Sequence, residues 1–322
     1  MRFGRGALAE VPGLLSDGGF AEFILLTTER ARGEAPALAD RAARVLHVPA
    51  GRVDELSAAL LGRATGLPLV ALGGGRVIDT AKAIGGATGQ PVAALPTTLS
   101  GAELTPFHRT PKGVPEARLV RPSLVVADPA LMASQPTPAL AASAMNALAH
   151  GMESLYTPLA NPVAGLSALR GAELIAAGLR SECPGRDEVA LGALLTGYAS
   201  ASTGIAVHHA VCQTLVRTTR SPHAETNAVM LPRSAELMAD RAPDALGALA
   251  RALGAADGGP RAASMSIAEL SSRCGYTRLS ELGVAHDELP AVAAAVLRHP
   301  ALRNTPEPPD EAGLLGLLRS AY

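Results

Sequence analysis

The pattern of apolar residues changes once along this chain, and that change limits the folds open to it. Before Pro136, short apolar runs alternate with helical stretches. The runs are FAEFILLTTE (20–29), HVPAG (47–51), LPLVALGGG (67–75), PVAALPTT (91–98) and PSLVVADP (122–129). PALADRAARVL (36–46), DELSAALLGRAT (54–65) and RVIDTAKAIGGA, which follows Gly75, carry helical patterns. Continuous apolar strands separated by helices predict a parallel sheet covered on both faces. After Pro136 the strand signals stop. Ala/Leu-rich helical patterns then run to Tyr322, broken by Pro or Gly near 158–162, 184–185, 220–222, 258–260 and 304–309. At 322 residues the chain has room for two cores. The predicted organisation is an α/β domain with a Rossmann-like parallel sheet over 1–135 and an all-α domain over 136–322.

Composition excludes several function classes. The net charge is −1 and there is no basic block, so nucleic acid is not an expected partner. No apolar run reaches the ~18–20 residues needed to span a bilayer, and no sustained apolar segment follows the basic N-terminus before Asp17. Neither a membrane partner nor a signal peptide is expected. Cys183, Cys212 and Cys274 lack CxxC spacing and read as reduced thiols of a cytoplasmic protein.

Two segments of the first half suit phosphate binding. Gly73, Gly74 and Gly75 lie between a predicted strand and a predicted helix. Glycines there admit a ligand close to the backbone, and the helix start offers free N–H groups to a pyrophosphate. The segment is not GxGxxG, so the usual dinucleotide fingerprint does not apply. A tight strand-to-helix turn explains it equally well. Asp79 sits one turn into that helix. Thr97 and Thr98 end the next strand, on the edge where open α/β sheets bind ligands.

The second half places polar side chains on apolar helices. Asn146 and His150 are spaced i, i+4 in SAMNALAHGMES, as are His209 and Gln213 in GIAVHHAVCQTL. Each pair shares a helix face. His223 follows in SPHAETNAVMLP. On one continuous helix His209 and His223 would stand roughly 21 Å apart. The break at Arg220-Ser221-Pro222 lets the chain fold back and bring them together. His208, next to His209, points elsewhere and reads as structural, and Cys212 reads as core.

GGGRVIDTAKAIG followed by PTTLSGAE resembles the iron-containing (group III) alcohol dehydrogenases, which have a dehydroquinate synthase-like fold. Gly73, Gly74, Gly75, Asp79, Lys82, Thr97 and Thr98 match the family motif, and Arg76 replaces its usual Ser. Many members bind iron or zinc through an Asp and three His, at the positions of Asn146, His150, His209 and His223. Asn146 brings a neutral oxygen where the family has an anion, so metal affinity should fall; His150, His209 and His223 could still bind Zn²⁺ or Fe²⁺ with a water in the fourth position, but a metal-free site is the first expectation. MNALAHGMESLYTPLANP (145–162), HHAVCQTL, SPHAETNAVMLP and the tail NTPEPPDEAGLLGLLRSAY resemble the maleylacetate reductase branch. Gln213 and Asn227 stand where that branch has His.

The resemblance implies a cytoplasmic homodimer. It reduces maleylacetate to 3-oxoadipate, in aromatic compound degradation, with hydride from NADPH or NADH, or it acts on a related unsaturated or oxo acid. The alternative is a metal-dependent alcohol dehydrogenase of the same family acting on an aldehyde or ketone. His209 is the first choice for the acid, with His150 and His223 holding the substrate. Lys112 matches a branch lysine able to grip a carboxylate, and Arg109, Arg217 and Arg220 are further cations. Thr28 occupies the strand end where a carboxylate would repel the 2′-phosphate of NADPH, so NADPH is expected to serve at least as well as NADH.

Overall fold

The computed structural model describes residues 1–181 and 185–322; Cys183 lies outside them. The chain forms two compact units, Met1–Ser134 and Gln135–Tyr322. In chain order the first holds β1 (Arg2–Phe3), α1 (Ala7–Asp17), β2 (Ile24–Thr27), α2 (Glu29–Glu34), α3 (Pro36–Arg41), β3 (Arg44–His47), α4 (Val53–Leu60), β4 (Leu69–Gly73), α5 (Gly75–Thr88), β5 (Val92–Pro96), β6 (Leu124–Ala127) and α6 (Pro129–Met132). The six strands pair in the order β1-β6-β5-β4-β2-β3, all parallel. β2, β4 and β5 are buried at every position, which is why their sequences read as unbroken apolar runs. One core packs Phe20, Phe23, Leu25, Val70 and Leu72 on one face. The other packs Ile24, Leu26, Ala71, Ile78 and Ile84. The chain turns from β2 outward to β3, then returns to place β4 on the other side of β2. The switch point therefore lies between β2 and β4.

Two elements depart from expectation. The helix expected over 36–46 ends at Arg41, and the strand expected at 47–51 is Arg44–His47 instead. Pairing decides this: Arg44 to His47 run in register with Ile24 to Thr27, and Pro49 lacks the N–H to extend the ladder. β1 and α1 carry no strong local signal. Their place comes from long-range bonds, since Arg2 pairs with Val126, and Asp128 Oδ2 accepts the amides of Gly6 and Leu8.

The second unit contains α7 (Thr137–Ser154), α8 (Pro162–Arg180), α9 (Arg186–Thr203), α10 (Val207–Thr219), α11 (His223–Ala239), α12 (Pro243–Ala252), α13 (Pro260–Ser271), α14 (Leu289–Val296) and α15 (Glu311–Ser320), with short 3-10 turns between the later helices. No strand occurs among its described residues. Buried α7 is the centre, covered by α8, α9, α11 and α13. The α10–α11 turn is made by Arg220, whose φ of 61° closes α10 in the left-handed region. No single helix among the described residues is long and apolar enough to cross a membrane.

Candidate active site

In the first unit, β4 and β5 end side by side, with Gly73 opposite Pro96, and present their C-terminal ends to the same edge. The amide of Thr97 donates to Gly73 O, which draws Thr97 and Thr98 against the glycine turn. A Cβ on Gly74 would come within 2.9 Å of the Thr98 side chain, and one on Gly75 within 3.0 Å of Ser100 Oγ. A side chain at either position would have to push the Thr98 or Ser100 side chain aside. Gly74 caps α5 without a side-chain bond, so the first N–H groups of that helix are offered to a ligand. This cradle fits the pyrophosphate of a nicotinamide dinucleotide. Thr28 lies across the switch point, at the end of β2. Its Oγ1 accepts the amide of Ala31 and caps α2. Arg30 pairs with Glu34 at 3.0 Å.

Asp79 does not stand alone. Its Oδ1 is 2.7 Å from the ammonium of fully buried Lys82, which also donates to the carbonyls of Ala102 and Thr105. Beside them lies Glu103, which sequence reasoning passed over. Its Oε2 is buried without a hydrogen-bond partner, and burial pushes its carboxyl up to about 7 despite nearby Lys82. In the unfolded chain Glu103 ionises near 4.5. Between these values the unfolded state holds fewer protons than the native one, so this group's contribution to stability falls as pH rises from about 4.5 to about 7. Glu103→Gln is expected to be more stable than wild type at pH 8, by at most about 3 kcal/mol, and equal to it below pH 4.5. Urea unfolding at the two pH values checks this; an unchanged difference would refute it.

In the second unit, α7 carries Asn146, His150 and Glu153 at i, i+4 and i+7, one stripe of a central helix. α10 brings His209 against them. The imidazoles of His150 and His209 stack with centroids 4.5 Å apart and planes 9° from parallel. Glu153 is fully buried, and its Oε2 lies 2.6 Å from His209 Nδ1. Its Oε1 accepts the amides of His208 and His209 at 2.7 and 3.3 Å. Glu153 was not among the residues singled out from sequence. The signal was present, as a carboxylate on the apolar stripe of Asn146 and His150.

Three buried polar atoms in this cluster have no hydrogen-bond partner: Asn146 Oδ1, His150 Nδ1 and His209 Nε2. Burial drives these rings toward their neutral forms. His209 is pushed down to about 3, and His150 falls well below its ordinary value, while burial raises Glu153. His209 is therefore one half of a coupled pair with Glu153. A Glu153–His209 pair without net charge holds two protons. One lies between Nδ1 and Oε2, so the other must be on Nε2. In that uncharged state the pair offers an N–H donor.

The remaining expected residues divide. His223 begins α11 and is exposed, but close enough to affect both His150 and His209. His208 is structural: its Nε2 donates to Asn227 Oδ1 and its Nδ1 meets Ser234 Oγ, both at 3.0 Å. Asn227, where the branch has His, thus completes a buried bond. Gln213 meets His299, 3.2 Å from Nε2 to Oε1. Cys212 is buried and free, and burial pushes its thiol well up. Lys112 and Arg109 belong to the first unit, where Lys112 is exposed and its amide bonds Asp54 O. Arg217 and Arg220 are exposed at the end of α10.

The donor set does not fit a divalent cation. Asn146 is neutral, and lone pairs in the nearly parallel planes of His150 and His209 do not converge on one tetrahedral centre. Among the described residues no three His, Cys, Asp or Glu side chains are placed to hold a metal.

Residues 140–322 match the family model described as Fe-containing alcohol dehydrogenase family, C-terminal, and residues 2–136 match that for iron-containing alcohol dehydrogenase. The chain is 32% identical to a maleylacetate reductase of Sphingobium indicum, over 99% of its own length and 94% of the relative's. It is 35% identical to maleylacetate reductase 1 of Rhodococcus opacus, over 86% and 78%. The crystal structure of a maleylacetate reductase from a Rhizobium species superposes with a TM-score of 0.86 at 30% identity, covering 100% of this chain and 95% of that one.

Proposed function

The chain belongs to the iron-containing alcohol dehydrogenase family, and we propose that within it the protein is an NAD(P)H-dependent reductase of maleylacetate or a closely related unsaturated oxo acid. The observation that carries this reading is the buried Glu153–His209 pair with Nε2 unpartnered, next to a neutral Asn146. Bound NAD(P)H supplies the hydride to the carbon–carbon double bond. As the hydride arrives, the conjugated carbonyl gains enolate charge. His209 Nε2–H donates to that oxygen in a site from which water is excluded. The same pair then gives up a proton to carbon and is left with one negative charge, which the two backbone amides on Glu153 Oε1 stabilise. His150, stacked on His209, keeps that ring in place, and His223 stands at the exposed margin. Arg217 and Arg220, at the end of α10, are the cations we assign to the substrate's carboxylates. We place the protein in the cytoplasm as a homodimer, by analogy with the family.

Purified protein mixed with maleylacetate and NADPH or NADH, with and without a chelator, tests the reading. Chelator-insensitive loss of nicotinamide absorbance is expected. Activity lost to the chelator and restored by Zn²⁺ or Fe²⁺ would overturn the metal-free mechanism. Absence of turnover with both cofactors would overturn the substrate. Cofactor choice has its own test. Thr28→Asp keeps a helix cap but sets a carboxylate at the β2 end. It is expected to raise the KM for NADPH by roughly tenfold or more while sparing NADH. Equal loss of both would remove Thr28 from cofactor selection.

A further inference from the structure

A chain of three hydrogen-bonding groups decides which way the Gln213 amide points. The amide of Ala301 donates to His299 Nδ1 at 3.2 Å, where His299 caps the 3-10 turn Pro300–Asn304. Nδ1 is therefore an acceptor and the proton of the neutral ring is on Nε2. That Nε2–H lies 3.2 Å from Gln213 and must donate to an oxygen, so Oε1 faces His299 and the NH₂ group faces away from it. Gln213 is half-buried on α10, one turn beyond His209 on the same face. Its NH₂ group makes no hydrogen bond among the described residues. His299 lies near His209.

We propose that Gln213 is a substrate-binding residue whose amide N–H, oriented by His299, donates to a carboxylate oxygen of the oxo acid. An amide cannot relay a proton, so this position holds the substrate and leaves proton transfer to the Glu153–His209 pair. His299 acts as a positioning residue. The inference rests on the oxo-acid reading above.

Gln213→Glu is the sharpest variant. It keeps the size of the side chain and the acceptor for His299 Nε2–H, but replaces the donor with a charge that repels a carboxylate. Gln213→Leu removes both groups. Each is expected to raise the KM for the oxo acid about 10–100-fold, with kcat and the cofactor Kd within about threefold. His299→Leu frees the amide to rotate and raises KM less, roughly 3–10-fold; His299→Gln restores a donor and recovers most of the loss. Thermal midpoints establish that each variant is folded, and calorimetric binding of adipate to the NADP⁺ complex provides a readout independent of turnover. Normal KM in both Gln213 variants, or a loss confined to the cofactor Kd, overturns the inference. If wild type fails to reduce maleylacetate yet binds adipate, and Gln213→Leu binds it more weakly, the substrate reading falls and this inference stands. If wild type neither reduces maleylacetate nor binds adipate, both fall.

Discussion

Glu153→Ala is expected to destabilise the helical unit by about 3–5 kcal/mol and to abolish measurable turnover. The substitution removes the acceptor of three buried donors at once, namely the amides of His208 and His209 and the Nδ1 side of His209. None has an alternative carboxylate on α7, and water reaches Glu153 nowhere, since it is fully buried. Glu153→Gln separates the structural role from the chemical one. Its oxygen still accepts the two amides, and its NH₂ donates to Nδ1, so the loss should shrink to about 1 kcal/mol. The ring is then locked with a proton on Nε2 that it cannot give up without becoming an anion. Polarisation of the substrate survives but proton transfer does not, and kcat should fall about 10²–10³-fold. Chemical unfolding gives the first quantity and single-turnover kinetics the second. A Gln variant with wild-type kcat would show that Glu153 serves only the fold.

His209→Gln should lower kcat by about 10²–10⁴-fold, with cofactor binding unchanged. The glutamine can still bond Glu153 from a similar position, so the α7–α10 contact persists while the donor at the Nε2 position is lost. His209 and Glu153 act as one unit, so the double variant should lose little more than the worse single one. Additive losses would mean that the two groups act separately and would refute the coupled pair. Loss of NADPH affinity in His209→Gln, measured by fluorescence titration, would place His209 against the nicotinamide instead.

Much of this protein was legible locally. A buried parallel strand has no polar face, so β2, β4 and β5 read directly as apolar runs. Gly74 and Gly75 are bound to their turn because any side chain there meets Thr98 or Ser100. The shared helix faces of Asn146 with His150 and of His209 with Gln213 followed from helix geometry alone, and the break at Arg220-Ser221-Pro222 from its proline. The strand at Arg44–His47 was misplaced by a few residues because its ends are set by pairing with β2, and local propensity does not record that.

What tertiary structure alone decided is which polar groups meet. Glu153 and His209 are 56 residues apart in sequence, and His299 and Gln213 are 86 apart. Sequence periodicity establishes that each residue faces an apolar interior; it does not establish which partner waits there. A buried polar atom must find a partner or remain costly, and only the packing of α10 against α7 and the Pro300–Asn304 turn determines which donors are satisfied. Those two pairings, Glu153 with His209 and His299 with Gln213, are what the proposed proton-bearing pair and oriented amide rest on.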